Sequence, residues 1–270
     1  MTRRLRLPVL ALGVLVHVAI AAEPLSPTRQ REILRDALYA YDQAVGVARD
    51  DPARAVELYR QAAAGFQALR DAGVQNAALE YNLGNVCFRL GDVGRAIVHY
   101  RRAVAYAPRD ERLAANLRYA REQVEPRIPA SGEARLARNL LFWHYETPPA
   151  YRFAALLVLS ILGWTLALVG LRMQKRPLLV SGLVAAALGL ASGISLHWQY
   201  YDEARHPHAV VVGSLTQLRL GRGEGTDLAL KQPLGPGVEL RVLQQVGDWV
   251  EVRLPNDQTG WLPATSIERV

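Results

Sequence analysis

The 270 residues include one cysteine, Cys87, so no intramolecular disulfide can form and the cysteine pairs of zinc ribbons are missing. The chain also lacks a glycine-rich phosphate loop, a paired-histidine zinc signature and a nucleophile elbow. Nor does its bulk carry charge of one sign. The formal net charge is +7, but Arg3, Arg4 and Arg6, then Arg172, Lys175 and Arg176, hold six basic side chains in two short clusters. Residues 22–150 have 18 basic against 16 acidic side chains, and residues 208–270 have 6 against 7. Near-neutral stretches of this kind argue against a nucleic-acid partner. With half of all residues apolar, global disorder is excluded as well.

The apolar residues are gathered into three blocks. The first comes after Arg3, Arg4 and Arg6, runs over residues 7–20 and ends in Ala19-Ile20-Ala21-Ala22, which predicts an export signal over residues 1–21. The alternative is an uncleaved N-terminal anchor, and in both cases the segment beyond it is exported. Residues 153–171 and 178–196 are free of charge, and each is about 28 Å long as a helix, matching a bilayer core. Two such helices make a hairpin. Its connector, residues 172–177, is short and basic and is expected in the cytoplasm, which places both flanking parts on the outer side of an inner membrane. Phe142, Trp143, Tyr145 and Tyr151 before the first span, and Trp198, Tyr200 and Tyr201 after the second, fit an interfacial aromatic belt. Neither span contains an ionisable residue, which argues against a transporter or pump. Stripes of small residues, Gly163, Ala167 and Gly170 on one helix and Gly182, Ala186, Gly189 and Gly193 on the other, permit close packing. They can face each other or a second membrane protein.

Residues 26–125 show helical spacing throughout. Residues 77–110 read AALEYNLGNVCFRLGDVGRAIVHYRRAVAYAPRD, with small Gly84, Ala96 and Ala103 at helix contacts, Gly91 at a turn and Pro108 ending the second helix. This segment resembles the 34-residue tetratricopeptide repeat, with Leu83, Gly84, Gly91, Asp92, Ala96, Tyr100, Ala103 and Pro108 at the family's positions. A weaker copy precedes it, with Ala55, Tyr59 and Ala62 repeating the second-helix spacing, and residues 111–124 predict a capping helix. The resemblance implies an all-α solenoid that binds peptides on the face lined by first helices. Tyr81, Asn85, Phe88, Arg89 and Asn116 are then the expected partner contacts. Asn85 and Asn116 fall where some relatives clamp a terminal carboxylate, whereas the clamp's lysine position holds Tyr81; in the alternative the asparagines bond the backbone between helices.

Residues 126–152 are expected to be a linker and interfacial segment. Beyond Pro207 the pattern alternates with a period of two, predicting five short strands at residues 209–212, 218–220, 238–243, 249–254 and 260–262. Gly247-Asp248-Trp249-Val250, a short hairpin, and Gly260-Trp261-Leu262-Pro263 resemble the bacterial SH3-type domain, which implies a small all-β barrel over residues 208–270. The run Leu218 to Gly223 departs from that family's usual Val-Arg-x-Gly-Pro. Trp249 is expected in the barrel core, and Trp261 is the better candidate for a partner contact.

Cys87 lies twelve residues before His99, but as the tyrosine position of a repeat's first helix it reads as a packing site. His206-Pro207-His208 has no cysteine or carboxylate cluster to complete a metal site. The reading is of a non-enzymatic protein without cofactor or metal. The order of export signal, tetratricopeptide solenoid, two-span hairpin and SH3-type barrel resembles the aerotolerance (Bat) operon proteins of the E type. That resemblance implies an envelope adaptor in stress tolerance, with membrane-anchored von Willebrand A-domain proteins and a MoxR-type ATPase as partners. A second reading is a wall-binding or wall-sensing anchor that touches peptidoglycan and recruits a wall enzyme.

Overall fold

The computed structural model describes residues 25–145 and 147–270, so the expected export signal lies outside the described residues. Five helices come first: α1 (Pro27–Val47), α2 (Pro52–Asp71), α3 (Ala77–Arg89), α4 (Val93–Tyr106) and α5 (Glu111–Glu122). Their starts are written in the sequence. The side chains of Ser26, Asp51, Asn76, Asp92 and Asp110 each accept a first-turn backbone N–H, and α1 and α2 carry proline in that turn, where its missing donor costs nothing. Gly73 and Gly91, at φ 86° and 80°, turn the chain after α2 and α3. Where α3 meets α4, a Cβ added to Gly84 would lie 2.6 Å from the Tyr100 ring, so only glycine permits this approach.

Two short helices, α6 (Gly132–Leu140) and α7 (Phe142–Tyr145), occupy the expected linker and leave Leu136, Leu140 and Phe142 exposed. Next come α8 (Pro149–Arg172) and α9 (Arg176–Arg205), both long and apolar enough to cross a membrane. Both run past the uncharged spans, starting at Pro149 and ending at Arg205. Their small-residue stripes face each other. A Cβ on Gly182 would sit 2.4 Å from the Ala167 backbone nitrogen, and one on Gly163 would sit 2.6 Å from that of Ala186. Close backbone approach of this kind lets two apolar helices gain van der Waals contact where burial from water offers little.

The remainder is an antiparallel sheet in the order β4-β3-β2-β1-β5, with β1 His208–Val211, β2 Glu239–Val246, β3 Trp249–Arg253, β4 Thr259–Pro263 and β5 Ile267–Arg269. The strand expected at residues 218–220 is reduced to isolated bridges from Arg219 to Leu228 and Trp261. Gly221, Gly223 and Gly225 bend the chain before a ladder can extend. The fifth strand is instead β5, three residues long and too short to show alternation. Trp249 also departs from expectation. Val250 and Val252, 1% and 0% exposed, take the core side of β3, so Trp249 points to the opposite, outer face and is half-buried.

Helices and sheet share one core. Ile97, Val98, Leu117 and Val124 pack in the same buried cluster as Val210, Val211, Val238 and Val250. A separate cluster holds α1, α2 and α3 together around Phe66 and Leu83. Between the two lies a buried polar pair, in which Glu80 on α3 bonds His99 Nδ1 on α4 at 2.7 Å, with Arg70 of α2 at 3.7 Å. Burial alone would raise the Glu80 pKa, but the His99 bond and the charges around it outweigh burial and hold it below the ordinary value. A carboxylate with a depressed folded-state pKa stabilises the fold above its unfolded pKa, and that stability is lost as pH falls through the folded value. Glu80→Gln should therefore be about 1–3 kcal/mol less stable than the parent at pH 7. Denaturant melts of the detergent-solubilised chains should show the gap narrowing as pH drops below about 4, and a gap independent of pH would contradict this role.

Candidate functional site

On α3, Tyr81, Asn85, Phe88 and Arg89 lie at helical spacing of four, three and one residues, and so share one side of the helix. The turn at Gly91 returns the chain as α4, which brings Tyr100 alongside; α5 adds Asn116 and Tyr119, and α1 adds Tyr41. These eight residues line one cavity of about 360 Å³. All five contacts expected on the helical face thus meet at one place.

A connected set of side-chain hydrogen bonds fixes the floor. The Tyr100 hydroxyl donates to Asn85 Oδ1 at 2.8 Å, and Asn116 Nδ2 donates to the same oxygen and to the Tyr81 hydroxyl, each at 3.3 Å. The asparagines therefore bond side chains across α3, α4 and α5, rather than the backbone. Burial raises the Tyr100 pKa further above its usual value, so this hydroxyl stays a neutral donor. Aromatic rings wall the cavity: Phe88 and Tyr119 lie 5.5 Å apart and Tyr81 and Tyr100 6.3 Å apart, both tilted. Arg89 is exposed at the rim. The lining holds that one cation and no carboxylate. A site of this composition offers stacking surface, fixed amide and hydroxyl groups, and attraction for negative charge, without a nucleophile and base in contact.

Tyr41, Tyr100 and Tyr119 are additions to the expected contacts. Tyr119 is signalled by its place three residues beyond Asn116 on the same helix face. Tyr41 has no such signal, because its place depends on how α1 packs on α2 beside α3.

Trp261 lies apart from this cavity, on β4. It is half-buried, opposite Glu251 in the ladder, with the Arg222 guanidinium 5.5 Å from its ring centroid. Trp249 shares that outward face of the β3-β4 pair, and the two rings are not part of the helical groove.

The other reactive side chains are engaged in structure. Cys87 packs half-buried against the shared core, and His99 is bonded to Glu80 rather than to the thiol. His206 Nδ1 lies 3.0 Å from Asp202 Oδ1, and His208 begins β1. Among the described residues, no group of three or more His, Cys, Asp or Glu is placed to hold a metal ion.

No protein-family model matches the chain, and no curated protein matches it.

Burial, reinforced by Asp92, pushes the Cys87 thiol up to about 12. Against an ordinary thiol, that is roughly a thousandfold less thiolate at the same pH. Iodoacetamide at pH 8 should alkylate Cys87 slowly in the folded protein and at the rate of a free thiol in denaturant. Equal rates in the two states would show an accessible, activated cysteine instead.

Proposed function

We propose that this protein is a non-enzymatic, membrane-anchored adaptor whose helical groove receives a peptide segment of a partner protein. The observation that carries this reading is the convergence of Tyr81, Asn85, Phe88, Arg89 and Asn116, with three further tyrosines, on one cavity free of carboxylates. On this reading the five N-terminal helices form a tetratricopeptide-type solenoid, the sheet is an SH3-type barrel, and α8 and α9 cross the inner membrane with both parts on the periplasmic side. Tyrosine and asparagine suit such a surface. They supply large contact area and hydrogen bonds while losing little side-chain entropy on binding. Arg89 at the rim favours a segment with an acidic residue or a terminal carboxylate.

The module order further supports placing the chain with the aerotolerance operon proteins of the E type. Its partners would then be exported or membrane-anchored, with von Willebrand A-domain proteins and the MoxR-type ATPase system the first to test. A second reading, a wall-binding anchor, draws on Trp249 and Trp261 sharing one outward face, since paired aromatic rings suit sugar or peptide stacking.

The test is mild crosslinking of the tagged chain in native membranes, in parallel with Asn85→Ala/Arg89→Ala and Trp261→Ala variants, followed by mass spectrometry. The groove variant should lose partner recovery about tenfold or more, because truncating a central contact costs over 1 kcal/mol. Trp261→Ala should leave recovery unchanged. Undiminished recovery with the groove variant would remove the adaptor reading, and co-sedimentation with purified peptidoglycan that depends on Trp261 would replace it with the wall-anchor reading.

A further inference from the structure

Arg152 lies in the first turn of α8, just before the uncharged span, and is only 4% exposed. Its partners are neutral. Nη1 donates to Ser195 Oγ at 2.7 Å and to His144 Nδ1 at 3.2 Å, and another nitrogen of the guanidinium donates to Gln199 Oε1. Nε has no partner among the described residues. Nor does any carboxylate among them come within ion-pair distance: Asp202 is held by Arg241 and His206, and Glu203 accepts from Gln199 at 2.7 Å. A guanidinium stays charged, so among the described residues this buried positive charge is held by uncharged acceptors.

Two neighbouring cavities lie here, and Arg152 lines one of them. It lines the polar one of about 570 Å³, together with Arg138, Gln199 and Arg241 and with Asp202 and Glu203, which Arg241 and Gln199 engage, between the sheet and the ends of α8 and α9. The second, about 410 Å³, is lined by Leu141, Trp143, Ala191, Ile194 and others, and its wall is almost wholly apolar. His144, Tyr145 and Trp198 line both, so the polar cavity and the apolar one share a wall. Leu141 and Ile194 are exposed along the outside of the helix pair. A cation in a polar chamber beside an apolar slot along a long apolar helix fits a molecule with an anionic head and a hydrocarbon tail.

We infer that these cavities bind one anionic phospholipid, its phosphate at the Arg152 guanidinium and an acyl chain along Leu141, Ile194 and Trp198. Phosphate oxygens outcompete the amide and hydroxyl that now hold the guanidinium, because hydrogen bonds between two charged groups are roughly twice as strong. Arg138 at the same cavity adds a second positive charge. Arginine is well suited to this task, since its planar fork matches phosphate geometry. The inference rests on α8 and α9 lying in a bilayer, which is part of the proposed function, but not on what the helical groove binds.

The test places the full chain in nanodiscs of equal parts phosphatidylglycerol and phosphatidylcholine and identifies the lipid retained per chain by native mass spectrometry. The parent protein should retain phosphatidylglycerol about tenfold over phosphatidylcholine, whose phosphate is the same but whose choline cation Arg138 and Arg152 repel. Arg152→Gln should lower that ratio to near unity, and Ile194→Trp, which leaves the arginine in place and fills the slot, should weaken retention of the lipid. Glycerol phosphate should not displace it. Equal retention of the two lipids by the parent, a ratio unmoved by Arg152→Gln, or displacement by glycerol phosphate would each overturn the inference. Should Arg152→Gln not fold, Ile194→Trp decides, because full retention in that variant excludes the slot. A chain that stays out of nanodiscs would overturn the membrane reading beneath it, and that outcome is scored separately by incorporation.

Discussion

Helix α4 is packed on every side, and the joining of the N-terminal helices to the sheet depends on it. Ala96, Ile97, Val98, His99 and Tyr100 are five consecutive buried residues, more than one full turn, so no face of this part of the helix meets water. One side meets α3 through Gly84 and Tyr100, and another meets the sheet, where a Cβ on Gly94 would lie 2.5 Å from the Val211 carbonyl oxygen. Completely burying a residue such as Ile97 contributes about 1.5–3 kcal/mol. Ion pairs ring the contact: Arg101 and Arg121 hold Glu239 of β2, and Arg102 holds Glu268 of β5. Burial works against the charge on Glu239, yet the two arginines keep its pKa below the ordinary value, so it remains charged at neutral pH.

The consequence for function is mechanical. Tyr100 and His99 are neighbours on α4, so the groove floor and the buried Glu80 pair belong to the helix that also carries the sheet. From the sheet, Arg241 reaches Asp202 near the end of α9. A partner seated in the groove would thus load one continuous body, joined through short polar contacts to the long apolar helices, rather than one of two modules on a flexible tether. Such a body suits an adaptor that must hold its partner at a set height and orientation.

Much of this is legible in the sequence, and the failures have identifiable causes. The five N-terminal helices follow from capping residues and spacing, because Ser26, Asp51, Asn76, Asp92 and Asp110 act on their own first turns. The two apolar helices follow from composition. The face of α3 follows from periodicity, so Tyr81, Asn85 and Phe88 can be placed together without knowing what packs beside them. What spacing cannot reveal is which distant surface covers a helix. The apolar side of α4 looks the same whether it meets a further helix or a sheet, and Tyr41 joins the groove only through helix stacking. On β3, alternation gives two faces but not which is inner, and Val250 and Val252 take the core in place of Trp249. Arg152 carries no sequence signal of its own, because the uncharged window begins one residue after it and its burial depends on Ser195 and Gln199 of the facing helix.

The central claim is that groove and sheet form one cooperative unit through α4, and hydrogen exchange of the full chain beside Ile97→Ala tests it most directly. The substitution should cost about 2–5 kcal/mol. Peptides from α4 and from β1 and β2 should then lose protection together and by similar amounts. Loss confined to α4, with the sheet keeping its original protection, would contradict the account and restore two independent modules.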